Sequence, residues 1–314
     1  MKRPTGYAYR LLITFLFALP FAAQSQTETD GIMMQAKNFC SGFVYTHSSW
    51  KEYWEGTFKR ENLNIGTVSS NMYSYMGNYG INNKLNALFG LGYAQTKASA
   101  GTLKGMRGIQ DLNLSLKWMP VKTKAGKGLL TLYGVAGVSF PLSDYVTDYL
   151  PLSIGLGSRN LILRAMGDYQ VGKFFATGSA AYIHRSNVKI DRTSYYTTEM
   201  HYTNEVEMPD AANFIFRSGY RSNSLVAELT LENWTTLGGF DIRKNDMPFL
   251  SNEMNATKAG AGLKYTVYKI PGLSLIGGGS YTLNGRNVGQ STTYYAGAFI
   301  VFGFAGKNNI NNQK

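Results

Sequence analysis

The sequence predicts an all-β fold, a closed antiparallel transmembrane β-barrel of about twelve strands of the bacterial outer-membrane type. The first observation behind this prediction is strict alternation: Leu112, Leu114 and Leu116 point one way while Asn113 and Ser115 point the other. The second is that tight turns alternate with long polar loops, which places short connections on one rim and long loops on the other. The third is a leader typical of exported proteins.

The leader begins with a basic front and continues as an apolar run. Lys2, Arg3 and Arg10 precede the apolar residues 11–23, which end in a small-residue cleavage site. The run of about 13 residues is too short to cross a bilayer as a helix, and no later stretch reaches about 18 apolar residues. We therefore expect residues 1–25 to be a cleaved signal peptide, with an uncleaved N-terminal anchor as the alternative.

The first half of the predicted barrel consists of two hairpins. Asn82-Asn83 is a favoured tight-turn dipeptide and closes the first hairpin, and the basic segment 122–127 closes the second. The loop 101–108 joins the two hairpins, and the long loop 142–158 follows them. The predicted strands of this half are 64–79, 85–97, 109–119 and 129–141.

The second half repeats the arrangement with more definite registers. A two-residue turn at Gly172-Lys173 sets Asp168 opposite Thr177, and a turn at Ser222-Asn223 sets Arg217 opposite Glu228, so that pattern and register agree. The longest loop, 187–210, is polar and rich in tyrosine. The predicted strands of this half are 160–171, 174–185, 213–221, 224–235, 256–268, 273–284 and 292–304.

The strand count and the direction of the last strand set the domain organisation. A final strand that descends to the turn rim requires an even number, so one more strand is needed before residue 64, and 39–47 is the candidate. We expect residues 26–63 to be an N-terminal segment that contains this strand and a possible plug. Residues 64–305 form the rest of one barrel domain, Phe304 is a terminal aromatic for the barrel-assembly machinery, and 306–314 is a polar tail.

Composition excludes several classes of protein. The formal charge of +12 becomes +9 without the leader, but the basic residues are scattered rather than gathered on one face, which argues against nucleic-acid binding. Contact with anionic outer-membrane lipids, or a lumen that tolerates anions, explains the charge. Cys40 is the one cysteine, so no intramolecular disulfide can form. One cysteine and three histidines leave little material for a structural metal site, and we predict neither a metal nor a cofactor.

Charged residues on the predicted inward face are the first candidates for a functional site. One interpretation is a lumen lining that sets selectivity and orients a solute. The other is a network of ion pairs that stiffens the wall, because narrow barrels must fill or pair their interiors. The predicted lumen row is Asp111, Lys117, Arg164, Asp168, Arg217, Arg221, Glu228, Glu232, Lys258 and Lys264.

Enzymatic and cation-binding interpretations have weaker support. His184 has Ser186 on the same face, but no nucleophile motif accompanies it, so catalysis is not predicted. Asp144 and Asp148 could bind Ca²⁺, although loop acids are usually solvated. The aromatic cluster at 50–58 fits either a solute grip at a lumen mouth or an interfacial belt.

Several short motifs resemble the outer-membrane protein family linked to the phenol meta-degradation pathway, which is broadly similar to the channels for hydrophobic compounds. They are YGI at 79–81 running into NNKLN at 82–86, GIQDL at 108–112, VSFP at 138–141 and GLGS at 155–158. The resemblance implies a passive outer-membrane pore or transporter for small hydrophobic or aromatic molecules. It transfers one position only, Asp111, as a recurrent acid at the start of a strand.

Taken together, the residues and the resemblance predict a porin-like channel or passive transporter in the bacterial outer membrane. Its expected partners are outer-membrane lipids, a small-molecule solute and the barrel-assembly machinery. The alternative is a structural or adhesive barrel that acts through its extracellular loops. A barrel hydrolase that uses His184 is the third and weakest hypothesis.

Overall fold

A computed structural model describes residues 27–244 and 246–303 of the 314-residue chain. The expected signal peptide, the aromatic Phe304 and the polar tail lie outside the described residues. The described residues contain no helix that is long and apolar enough to cross a membrane.

Twelve antiparallel strands close into one barrel, which confirms the predicted fold class. Each strand pairs with its neighbours along the chain, and the last strand pairs with the first, with Asn38 opposite Gly303. Closure leaves no sheet edge exposed to lipid. The strands are β1 (Asn38–Trp50), β2 (Val68–Asn82), β3 (Leu85–Ala98), β4 (Arg107–Ala125), β5 (Gly128–Pro141), β6 (Asn160–Val171), β7 (Phe174–Arg185), β8 (Ala211–Arg221), β9 (Leu225–Thr236), β10 (Asn255–Thr266), β11 (Leu273–Arg286) and β12 (Thr292–Gly303).

The connections separate by length onto the two rims, as the sequence predicts. Five tight turns join strands at one end, which we call the turn rim, and all other connections lie at the opposite end, the loop rim. In outer-membrane barrels the turn rim faces the periplasm and the loop rim faces outward. Gly172 has a φ of 59° in its two-residue turn, a left-handed conformation that glycine adopts without strain. The predicted register of Asp168 opposite Thr177 is confirmed.

The predicted register between β8 and β9 is wrong by two residues. Arg217 lies opposite Thr230 rather than Glu228, because the turn contains residues 222–224. The backbone N–H of Ser222 donates to the carbonyl of Leu225 at 2.8 Å, and this bond fixes the longer turn. A shift of two residues keeps every side chain on its predicted face, and Arg217 still reaches Glu228 diagonally at 2.9 Å.

Strand β4 is longer than predicted. The sequence predicts that it ends at Met119 because Pro120 follows, but the strand continues to Ala125. The register between β4 and β5 shifts between Trp118 and Val121, so the proline lies in a bulge where no ladder hydrogen bond is required of it. A proline without an N–H can therefore lie within this strand, and the strand does not have to end before it.

The outer wall of the barrel is apolar. Leu116 and Trp118 on β4 and Leu229 and Leu231 on β9 are 49–69% exposed, on the faces that the alternation predicts. Large exposed apolar side chains in such a continuous band belong against lipid rather than water. The barrel therefore spans a membrane with its strands.

Because Leu229 lies near the middle of β9 and is 69% exposed, it tests the lipid-facing assignment. We expect Leu229→Arg to lower the free energy of unfolding by about 2–4 kcal/mol, the penalty of arginine on the lipid face near the bilayer midplane. Urea unfolding in phospholipid bilayers would measure it. Leu237→Arg is the matched control, because Leu237 is 55% exposed in a loop outside the barrel. Equal losses in the two variants would contradict the lipid-facing assignment.

Three long loops, 142–159, 186–210 and 237–254, pack on one another at the loop rim and form what we call the loop cap. Its buried cluster includes Val188, Val206 and Leu250, with Leu156 of the first loop packed against it. Short strand pairs inside the loop 186–210 supply its own ladder hydrogen bonds. The loop cap is therefore an ordered structure over this side of the outer mouth.

Candidate functional site

Residues 27–37, which we call the N-terminal segment, lie inside the barrel before the chain enters β1. Near the turn rim, the backbone N–H of Lys37 donates to the Gly80 carbonyl at 2.7 Å, and the N–H of Ala36 donates to Asn83 Oδ1 at 3.1 Å. Met34 is buried in an apolar cluster with Cys40. From there the N-terminal segment reaches the middle of the lumen.

Lys117 is the main anchor of the N-terminal segment. Its side chain is fully buried, and the ammonium group forms an ion pair with Asp30 Oδ1 at 3.1 Å. The same ammonium donates to the backbone carbonyls of Thr27 at 3.0 Å, Asp30 at 2.6 Å and Ile32 at 2.9 Å. Several acceptors converge on one buried cation, so the segment wraps around the end of this side chain.

Further wall residues hold the same part of the N-terminal segment. The hydroxyl of Ser115 donates to Glu28 at 2.9 Å, and that of Tyr133 donates to the Gly31 carbonyl at 2.8 Å. Gly31 lies so close to the wall that an added Cβ would come within 2.2 Å of Asp168 Oδ1. The seat of the N-terminal segment therefore requires a glycine at this position.

Asp168 and Arg221 form the most deeply buried ion pair of the wall. The guanidinium donates two hydrogen bonds of 3.0 Å to the two carboxylate oxygens, a bidentate geometry. The hydroxyl of Thr177 also donates to Asp168, and the guanidinium lies 3.9 Å from the centre of the Phe175 ring. This pair has the form that the wall-stiffening interpretation requires.

The remaining predicted lumen residues occupy the inward face at several levels. Arg217 pairs with Glu228 at 2.9 Å and also donates to Thr29 at 2.8 Å. Lys258 lies opposite Glu232 in the ladder between β9 and β10. Asp111, Arg164 and Lys264 line lumen cavities. These positions agree with the predicted row; its role in selectivity stays a prediction.

Two cavities lie on either side of the N-terminal segment, and smaller ones of about 310 and 190 Å³ lie along it. The outer chamber, of about 430 Å³, lies on the loop-rim side, and the inner vestibule, of about 560 Å³, lies on the turn-rim side. Residues 31–36 line the inner vestibule together with Lys122, Tyr133, Asp168 and Arg221. The outer chamber is lined by Glu28, Met72, Met76, Leu91, Gln110, Asp111, Leu156, Ile162, Arg164, Ile183, Arg185 and Trp234, among others.

Two residues of the outer chamber, Arg185 and Trp234, are absent from the predicted row. Both follow the alternation of their strands, since Arg185 shares the inward face of β7 with Ile183, and Trp234 shares the inward face of β9 with Glu232. A search for inward charges misses Arg185 because it is the last residue of its strand. It misses Trp234 because that side chain is not charged. Both residues are found when every second residue of each strand is assigned to the inward face up to the end of the strand, whatever its charge.

The aromatic cluster at 50–58 packs against the loop rim rather than lining a cavity. Trp54 is 5% exposed and lies beside Gly285, and Trp50 lies beside Gly289. Phe58 remains 64% exposed, with the Arg60 guanidinium 4.8 Å from its ring centre. Most of this cluster therefore packs the connection 51–67, between β1 and β2, against the loop between β11 and β12.

His184 lies on the outer face of the barrel, where it pairs with Asp210 at 3.0 Å. Partial burial raises the pKa of the Asp210 carboxyl, but hydrogen bonds from Tyr182, from the Arg185 backbone and from His184 outweigh it and lower that pKa. The Ser186 hydroxyl donates to the backbone carbonyl of Asn187 at 3.3 Å. Within the described part of the chain, no serine hydroxyl is hydrogen-bonded to His184.

Two acidic residues of the long loops, Asp148 and Asp241, pair with arginine. Asp148 accepts from Arg192 Nε at 2.9 Å, and Asp241 pairs with Arg286 at 2.8 Å. Among residues 27–244 and 246–303, no group of three or more His, Cys, Asp or Glu side chains is arranged to hold a metal ion.

The sequence matches no protein-family model and no curated protein sequence. Among solved structures, it is similar to an outer membrane channel from Pseudomonas putida F1, with a TM-score of 0.70, 14% identity, and coverage of 86% of this chain and 97% of that one. A deletion mutant of the monoaromatic hydrocarbon channel TodX gives a TM-score of 0.45 at 7% identity, with coverage of 86% and 91%. The translocator domain of the autotransporter NalP from Neisseria meningitidis gives 0.45 at 13% identity, with coverage of 87% and 91%. At such identities the first likeness shows the fold alone, that of an outer-membrane barrel, and the chain is a protein of the bacterial outer membrane.

Proposed function

We propose that this outer-membrane barrel is a passive channel for small solutes with an apolar part, and that the N-terminal segment is its plug. The observation that carries the proposal is the position of a segment of the chain inside the lumen, between the outer chamber and the inner vestibule. In this proposal, a solute passes from the outer chamber to the periplasmic side when the segment moves.

The size and lining of the outer chamber support a small, partly apolar solute. Ligand pockets of about 300–1,000 Å³ hold small molecules, and the chamber has about 430 Å³. Met72, Met76, Ile162 and Trp234 give it thioether, aliphatic and indole surface, which suits an aromatic ring. The resemblance to the phenol meta-pathway family favours the same class of solute.

The contacts of the N-terminal segment support a plug that can be displaced. The segment is held to the wall largely through hydrogen bonds and one ion pair, to Lys117, Ser115 and Tyr133. Each hydrogen bond contributes about 0.5–1.5 kcal/mol net, and water that enters the lumen can replace it. We also propose that the mature chain has two parts. Residues 26–63 contain the plug and the first strand, and residues 64–305 form the rest of the barrel.

A structural or adhesive barrel is the second candidate, and one observation favours it. The loop 186–210 is ordered by its own strand pairs yet presents Tyr202 at 87% exposure, with Tyr196 and Met200 about half exposed. Tyrosine on a rigid support is favoured at protein interfaces.

Solute entry into liposomes that contain the refolded mature protein separates the two candidates. We expect phenyl glucoside to enter faster than a disaccharide of similar size, relative to protein-free liposomes, because the ring can use the apolar lining. Trp234→Ala should reduce this preference, whereas Trp118→Ala, a matched substitution at a lipid-facing tryptophan that is 53% exposed, should not. Entry of neither solute, even when Lys117→Met removes the main anchor of the plug, would contradict the channel and leave the adhesive barrel.

A further inference from the structure

We infer that the outer chamber is built for small organic carboxylates, with Arg164 and Arg185 receiving the carboxylate group and the apolar lining receiving the rest of the molecule. The inference deepens the proposed function, on which it rests for transport. The binding that it predicts can be measured without transport.

Arg164 is a buried cation without a carboxylate in contact. The residue is only 9% exposed. Its guanidinium donates to the neutral oxygens of Ser179 and Asn213, each at 3.0 Å. No ion pair joins it to an acidic group of the described residues, and its Nε is buried without a hydrogen-bond partner there. Glu28 and Glu232 are near enough to stabilise the charge electrostatically, but neither contacts the guanidinium. A buried charge that lacks a contacting counter-charge is unfavourable, so an anionic ligand in direct contact would stabilise this site.

Arg185, at the loop-rim end of β7, has the same character. It is 5% exposed, and its Nε donates to the backbone carbonyl of Pro209 at 2.6 Å. Its Nη2 is buried without a partner among the described residues. Asp210 is close by, but its carboxylate accepts from the backbone N–H of Arg185 and from His184 instead. The guanidinium therefore presents an unused donor at the wall of the outer chamber.

The contrast with the arginines nearer the turn rim is informative. Arg217 pairs with Glu228, and Arg221 pairs with Asp168, so both have carboxylate partners within the wall. If the inward charges served only to stiffen the wall, each inward arginine should have a carboxylate partner. Arg217 and Arg221 also donate to neutral oxygens, those of Thr29 and Gln170, and their Nε atoms are likewise without a partner among the described residues. The difference is that Arg164 and Arg185 have no ion pair with a carboxylate of the described residues.

The acidic side chains of the chamber are engaged elsewhere. Glu28 accepts from Ser115 at 2.9 Å, and Asp111 accepts from Tyr145 at 3.1 Å. Glu232 is separated from Arg164 by Asn213, which donates to it at 2.9 Å. These carboxylates form no ion pair with the two arginines, so the unused guanidinium N–H groups stay available to a solute, although Glu28 and Glu232 offset part of the Arg164 charge.

The two arginines lie at different depths. Arg185 is opposite Asn160 in the ladder between β6 and β7, and Arg164 lies four residues deeper on β6, about 13 Å along the strand. Ile162 and Ile183 lie between these levels on the same inward face. A carboxylate can therefore meet Arg185 first and Arg164 next, while an attached ring stays against aliphatic surface.

Calorimetric titration of the refolded, plug-containing protein in detergent with benzoate and with benzamide tests the inference. The two probes have nearly the same shape and differ in charge. We expect benzoate to bind about tenfold or more tightly than benzamide, the effect of one charge-assisted hydrogen bond. Equal affinities of benzoate and benzamide would overturn the inference. Tighter binding of benzylammonium, titrated in the same way, would also overturn it and would assign the chamber's charge selectivity to Glu28 and Asp111.

Charge-removing substitutions at the two arginines test the site itself. Arg164→Gln and Arg185→Gln should each reduce the benzoate preference, and the double variant should abolish it. Arg159→Gln is the matched control, because Arg159 is exposed at the loop rim and its loss removes the same charge. A preference that survives in the double variant, with heat-modifiable gel mobility intact, would also overturn the inference.

The failure of the inference and that of the proposed function give different results. Benzoate current across planar bilayers reports transport, whereas calorimetry reports binding. Selective benzoate binding without any solute flux would support the binding site and remove the channel. Flux of phenyl glucoside with equal benzoate and benzamide affinities would retain the channel and remove the carboxylate site.

Discussion

The Lys117→Met variant is expected to conduct ions far more readily than the wild-type protein in planar bilayers. Lys117 is fully buried and binds Asp30 together with the backbone carbonyls of Thr27 and Ile32. Methionine fills a similar volume but donates no hydrogen bond. Without the ammonium, the Asp30 carboxylate and several carbonyl oxygens lose their hydrogen-bond donor in the lumen. The bound position of the N-terminal segment is then destabilised.

The size of the effect follows from the burial of the pair. Removing one partner of a buried ion pair costs about 3–5 kcal/mol, because the other charge is left uncompensated. The remaining contacts of the segment, such as those of Ser115 and Tyr133, contribute about 0.5–1.5 kcal/mol each. One substitution at Lys117 therefore removes a share of the binding free energy comparable to all of these together.

Two further variants make the conductance result specific. Lys122→Met removes the same charge from the inner vestibule, where Lys122 is exposed, and should leave the conductance low. Gly31→Ala should raise it with every wall charge intact, because the new Cβ would collide with Asp168. If Lys117→Met folds normally, as judged by heat-modifiable mobility, and conducts like the wild type, the segment is not a plug held by Lys117.

The architecture could be predicted because each of its rules is local. Alternation identifies the two faces of a strand, and a turn such as Gly172-Lys173 sets a register, as Asp168 opposite Thr177 shows. The errors occur where a local rule has two solutions. Ser222 allows a longer turn than the dipeptide suggests, and Pro120 is accommodated in a bulge rather than ending β4.

The candidate site was predictable only in part, because its partners are distant in the chain. Parity places Lys117 inside the barrel, but its partner Asp30 lies 87 residues away in a segment without strand periodicity. Parity likewise places Arg164 in the lumen but cannot say that neutral Ser179 and Asn213, rather than a carboxylate, would be its partners. Such pairings depend on side-chain geometry across several strands.

The second large expected effect is on stability and concerns Asp168 and Arg221. Their side chains are 5% and 9% exposed, and the pair is bidentate. Asp168→Asn should leave the Arg221 charge buried without compensation and lower the free energy of unfolding by about 3–5 kcal/mol. Arg221→Gln should cost a similar amount, because the Asp168 carboxylate then loses its cation. Urea titration followed by gel mobility would measure both.

The double variant decides whether the charges or the hydrogen bonds matter. With Asn at 168 and Gln at 221 neither position carries a buried charge, and the two amides can hydrogen-bond. The double variant should therefore be more stable than the sum of the single losses predicts, by about 1–3 kcal/mol. Glu228→Gln is the control for an inward pair with more solvent, since Glu228 and Arg217 are 18% and 20% exposed, and it should cost less. Additive losses at Asp168 and Arg221 would show that the pair does not act as a unit. Carboxylate pairing would then not be what stabilises an inward arginine in this barrel. The lack of an ion pair at Arg164 and Arg185 would no longer distinguish the outer chamber from the rest of the wall.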